Sequence, residues 1–79
     1  MYLGDNTKTL LLVEDDDAFR SRLGTALQKR GFNITSASSV AEGLSAVRMN
    51  APEYAVIDLR LQDGSGLDVV EALEQQRPD

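Results

Sequence analysis

Two apolar runs in this sequence break off in acid. Thr9-Leu10-Leu11-Leu12-Val13 runs into Glu14-Asp15-Asp16-Asp17, and Tyr54-Ala55-Val56-Ile57 runs into Asp58. If the runs are neighbouring strands, the carboxylates of Glu14, Asp15 and Asp58 converge at one edge of a sheet. Like charges that close repel, so either one takes up a proton or a cation sits among them. An all-oxygen donor set without imidazole or thiolate suits a hard ion, Mg²⁺ above all, or Ca²⁺. A carboxylate beside such an ion can also attack phosphorus and become an aspartyl-phosphate. Chemistry of that kind asks for positioned charge and little covalent help.

Composition narrows the alternatives. The chain has no histidine and no cysteine, which removes imidazole acid–base chemistry, thiolate zinc sites and disulfides. A net charge of −5 argues against a nucleic-acid surface, which needs excess Lys and Arg. Seventy-nine residues make one small domain at most, or part of a larger one. With 42% hydrophobic and 27% charged residues, the mixture is that of a folded chain rather than a disordered one. The apolar runs, Leu10 to Val13 among them, fall far short of the ~20 residues that span a bilayer. Met1 to Lys8 carries Asp5 and Asn6 and no apolar core, so it does not read as a signal peptide. The expected setting is the cytoplasm, with no membrane partner.

The elements that must position the acids follow from the spacing. Thr9 to Val13 is apolar on both faces, as a central strand covered by helices on both sides must be. From Asp17 the period becomes helical, and Phe19, Leu23, Ala26 and Leu27 share a face. Acid opens this helix, with Asp16 or Asp17 as its N-cap; Lys29 and Arg30 close it, and Gly31 stops it. Phe32 to Ala37 alternates at first and reads as a strand nearer an edge. Ser39-Val40-Ala41-Glu42 is a capping box, opening a helix whose Val40, Leu44 and Val47 share a face and which ends at Asn50-Ala51-Pro52. After the Tyr54–Asp58 strand, Gln62 to Gly66 is loop chemistry. Leu67, Val70 and Leu73 then mark a third helix, fading through Gln75, Gln76 and Arg77 to Pro78. The order β-α-β-α-β-α predicts an α/β, doubly wound parallel sheet with right-handed crossovers. Ligands of such sheets sit at the carboxyl ends of the strands, where the acids are.

Leu11-Leu12-Val13-Glu14-Asp15-Asp16, Val56-Ile57-Asp58-Leu59 and Asp63-Gly64-Ser65-Gly66-Leu67 together resemble the receiver domain of two-component response regulators, a flavodoxin-like (CheY-like) fold. The resemblance covers Lys8 to Asp79. Within that family, Arg30-Gly31-Phe32, Ser39 to Leu44, Pro52 to Val56 and Asp58 to Leu61 look most similar to the redox-responsive global regulators of the RegA/PrrA/ActR type. The resemblance implies that Asp58 accepts a phosphoryl group from a sensor histidine kinase. It makes Glu14 and Asp15 the acidic pair that holds Mg²⁺, with Asp15 a direct ligand. Asp58 and the backbone carbonyl of Arg60 complete the set. Gly66 matches the glycine that lets the next helix start close to the loop, and Gln62 stands where many receivers carry proline.

The same resemblance implies a division of the chain. Residues 1–8 would be a tail and 9–79 a partial receiver with strand order 2-1-3. The family's fourth and fifth strands, its hydroxyl residue and lysine after them, and the output domain that touches DNA have no counterpart here. Lys8 and Lys29 cannot replace that lysine, since both belong to the opposite end of the sheet. The strand at Tyr54 would then be an open edge, able to pair with a second copy. Other phosphate and metal sites fit less well. A haloacid-dehalogenase site needs an acid where Arg60 stands. An EF-hand loop counted from Asp58 meets Arg60 and Gln62 at ligand positions, and a dinucleotide turn needs glycines where Glu14 to Asp17 lie. The rival of another class is a self-associating or partner-binding module without phosphoryl chemistry.

Overall fold

A computed structural model describes residues 8–76. The elements are β1 (Lys8–Val13), α1 (Asp17–Lys29), β2 (Phe32–Ala37), α2 (Val40–Met49), β3 (Tyr54–Ile57), β4 (Arg60–Leu61), β5 (Gly64–Ser65) and α3 (Leu67–Gln76). β1 lies between β2 and β3 and pairs parallel with both, with Leu12 beside Ser36 on one side and Val56 on the other. The α/β fold and the 2-1-3 order are those the sequence predicts. The tail expected over residues 1–8 is one residue too long, because Lys8 already pairs with Phe32 in the β1–β2 ladder. The rest of that tail, and the predicted end at Pro78, lie outside the described residues.

The continuous apolar run of β1 is buried on both faces. Leu12 and Leu11 are each 1% exposed and Val13 is fully buried. Leu12 faces Gly24 of α1, while Leu11 and Val13 join a core with Val40 and Val47 of α2 and Val69 of α3. Helices therefore cover both faces of the strand. α2 and α3 pack closely: a Cβ on Gly43 would stand 3.0 Å from Val69 and 3.3 Å from Val13.

The helix ends follow local rules. Asp16 caps α1 by accepting from Phe19 N–H (2.9 Å), and Gly31, at φ 97°, ends it. Ser39 caps α2 by accepting from Glu42 N–H (3.1 Å). Glu42 reaches back one residue further than a capping box prescribes, accepting from Ser38 N–H (2.8 Å) and Ser38 Oγ (3.0 Å).

Three expectations change. On α1 the inward face is the buried Gly24 with Leu23 and Leu27 half-buried beside it, while Phe19 and Ala26 stay exposed. α1 packs chiefly on β2 and β1, and the Phe19 side of its apolar face stays open. On α3 the face that packs is Val69, Ala72 and Leu73, whereas Leu67 is 53% exposed. The close seat against Gly43 of α2 selects that stripe. The segment after Asp58 is a small antiparallel hairpin rather than a loop, with Arg60 opposite Ser65 and Leu61 opposite Gly64. Gly64 sits at φ 150°, a conformation that side-chain-bearing residues rarely adopt, and Leu61 is buried.

Candidate functional site: carboxylates at the strand ends

Two backbone bonds carry the parallel ladders one step beyond the strands. Glu14 N–H donates to Ala37 O (3.0 Å) and Asp58 N–H to Val13 O (2.9 Å). They place Glu14 and Asp58 side by side at the carboxyl edge, with Asp15 next to them. One carboxylate oxygen from each of Glu14, Asp15 and Asp58 can be chosen so that all lie within 4.8 Å of one another, and all three residues are half-buried. The convergence expected from the sequence is thus present.

Each carboxylate is oriented by one backbone N–H. Glu14 Oε2 accepts from Asp16 (3.0 Å), Asp15 Oδ2 from Gln62 (3.1 Å) and Asp58 Oδ1 from Arg60 (3.0 Å). The second oxygen of each accepts no hydrogen bond from a described residue. Among the described residues no cationic side chain pairs with the three acids. Arg20 is close, but it binds Asp17 (2.7 Å) and the Glu14 carbonyl (2.8 Å). Three carboxylates with three open oxygens and no cationic side chain beside them among the described residues make a donor set that suits a hard cation.

Arg60 reaches Asp58 through its main chain, and its side chain is exposed. Gly66 is required by space rather than by φ. A Cβ there would drive into the Asp58 carbonyl oxygen and come within 2.8 Å of Ile57 Cγ2. Its N–H donates to Leu59 O (3.0 Å), and its carbonyl accepts from Val69 (3.0 Å) and Val70 (3.1 Å), which opens α3. Lys8 stands at the other end of the sheet, its ammonium 5.7 Å over the Phe32 ring, which meets Tyr54 edge-on at 5.4 Å.

Sequence reasoning missed Asp63. It sits in the hairpin turn, and its two oxygens accept from Val40 N–H (2.9 Å) and Ala41 N–H (3.1 Å) at the start of α2. These bonds hold its carboxyl below the ordinary range, and Glu42 is likewise lowered by its bonds from Ser38. Asp63-Gly64 in sequence reads only as a turn; the partner is 23 residues away.

The receiver domain family of response regulators matches residues 10–79. The chain belongs to that family. It is 56% identical over 72 residues to the photosynthetic apparatus regulatory protein RegA of Cereibacter sphaeroides, a match covering 91% of this chain and 39% of that protein. Among solved structures, the response regulator TrrA of Thermotoga maritima in complex with Mg²⁺-BeF superposes with a TM-score of 0.82 at 25% identity, over 90% of this chain and 62% of that one. A response regulator of Burkholderia pseudomallei, with a phosphorylated aspartic acid, calcium ion and citrate, matches at TM-score 0.82 and 29% identity, over 91% and 42% respectively. The likeness to RegA agrees with the subgroup read from the sequence. The chain spans well under half the length of that relative. No described helix is long and apolar enough to cross a membrane.

Proposed function

We propose that this chain is the first part of a cytoplasmic receiver domain that accepts a phosphoryl group on Asp58 from a sensor histidine kinase. The observation that carries the reading is the trio Glu14, Asp15 and Asp58, within 4.8 Å and without a cationic partner among the described residues. The donor set fits Mg²⁺, being oxygen only with three open atoms. Glu14, Asp15, Asp58 and the Arg60 carbonyl would hold it. When bound, the ion neutralises charge on the phosphoryl group in transit. Asp58 does the bond-making. One of its carboxylate oxygens attacks phosphorus as the P–N bond to the kinase imidazole breaks, and the other is left to the ion. The imidazole nitrogen keeps the bonding pair. The added charge, about −1.5 to −2 for a phosphate near neutral pH, then biases a two-state surface. In this reading the protein is a switch and does not turn over free substrates. Contact with DNA, and the rest of the parallel sheet, would lie in parts of the protein beyond this chain.

Labelling with acetyl phosphate, with and without Mg²⁺, tests the assignment. Mg²⁺-dependent label is expected on the wild type, at a low rate, and none on Asp58→Asn. Label on Asp58→Asn at the wild-type level would remove Asp58 as the acceptor.

A second reading rests on β3, where Tyr54 is 47% and Val56 41% exposed although both belong to an apolar strand. Such an edge can pair with a second copy. Sedimentation over a range of concentrations is expected to show self-association that Val56→Lys weakens. A concentration-independent monomer would discard it.

A further inference from the structure

We infer that Asp63 is a positioning residue for the cation site, acting by clamping the β4–β5 hairpin to the start of α2. The inference rests on the reading of Glu14, Asp15 and Asp58 as ion ligands and adds a residue that touches none of them. Asp63 does not close α2 alone, since Ser39 and Glu42 already serve that helix end. What its two bonds to Val40 and Ala41 add is a tether between the helix and a turn 22 to 23 residues later.

The tether matters because of what the hairpin carries. Gln62 N–H, beside Asp63, orients Asp15, and Arg60 N–H orients Asp58. A hairpin with two residues per strand has little stability of its own. Its position depends on the burial of Leu61 and on this carboxylate. With the clamp released, both N–H groups lose their fixed place and the two carboxylates lose their aim. Groups that orient metal ligands from behind are worth about 10- to 100-fold in metal affinity.

The test is a titration of the full chain with Mg²⁺ alone, followed by amide NMR shifts and calorimetry. Asp63→Ala is expected to weaken Mg²⁺ binding about tenfold and to broaden or displace the Gln62 amide signal. Ser39→Ala, which removes a cap from the same helix end without touching the hairpin, is expected to leave Mg²⁺ affinity within about twofold. That contrast separates positioning from general loosening of α2. Asp63→Asn keeps one acceptor oxygen and is expected to restore most of the affinity; where Asp63→Ala does not fold, it is read instead, at about threefold weaker than wild type. Wild-type affinity in the folded Asp63 variants, beside a large loss in Asp15→Asn, overturns the clamp and leaves the cation site standing. Equal losses in Asp63→Ala and Ser39→Ala also overturn it. If Asp15→Asn binds Mg²⁺ as the wild type does, the cation site fails and the clamp with it.

Discussion

β1 and β3 are alike in sequence and unlike in surroundings. Both are apolar runs that end in acid, and they lie side by side, Leu12 against Val56 on one face of the sheet. Yet Leu12 is 1% exposed and Val56 is 41% exposed. The difference is not in the side chains. Leu12 has Gly24 of α1 above it and a strand on either side, whereas among the described residues β3 pairs with β1 alone and α1 packs chiefly on β2 and β1. Apolar character states that a strand can be buried; only a covering element buries it. The carboxyl ends of the two strands behave oppositely. There Glu14 and Asp58 are anchored by matching backbone bonds, so the site is well defined at the very strand whose flank is open.

Substitution at the paired positions should expose that contrast most strongly. Leu12→Ala removes a buried side chain and is expected to cost about 2–5 kcal/mol, while Val56→Ala beside it costs under about 1 kcal/mol. Urea denaturation of the two variants measures this, and equal losses would mean that β3 is covered in solution.

A somewhat smaller effect is expected where the two regions meet. Gly66→Ala pushes a methyl group against the Asp58 carbonyl and Ile57, so β3 and the start of α3 must separate. The expected loss is about 1–3 kcal/mol, with amide shifts concentrated at Asp58 and Leu59. A neutral Gly66→Ala would show that the end of β3 is looser than the end of β1.

Ser39→Ala should cost about 1 kcal/mol through the lost cap on α2, measurable as a drop in melting temperature. The smallest effect is that of acid. Asp63 and Glu42 are held below their ordinary values of 3.8 and 4.5, so the stability they contribute is complete above those values. It drains away as pH falls through the lower values of the folded state. Acid titration of the wild type against Glu42→Gln with Asp63→Asn checks the sign: the double variant should be less stable near neutrality and show a flatter acid limb.

Much of this was readable beforehand because it is local. Asp16 three residues before Phe19, Ser39 three before Glu42, and Gly31 at a helix end each act within one turn, and each occurs as the spacing indicates. The junctions of strand and acid are local too, and parallel pairing of the strands brings Glu14, Asp15 and Asp58 together. What was not readable depends on distant partners. Leu67 and Val70 are as apolar as Val69 and Leu73, and nothing in their spacing says which stripe meets α2. Asp63 in a turn looks like any turn aspartate until α2 is placed above it.

By itself, then, the amino-acid sequence determined the alternation of the three main strands with three helices, the ends of α1 and α2 and which strand ends carry charge, because periodicity, capping and strand polarity act over a few residues. The tertiary structure alone decided which face of α3 is buried, that Phe19 and Val56 stay open, that Gly66 must lack a side chain, and that Asp63 ties the hairpin to α2. Those outcomes depend on groups far apart in the chain meeting at a fixed distance, and a distance of that kind exists only once the sheet has formed and the helices are seated on it.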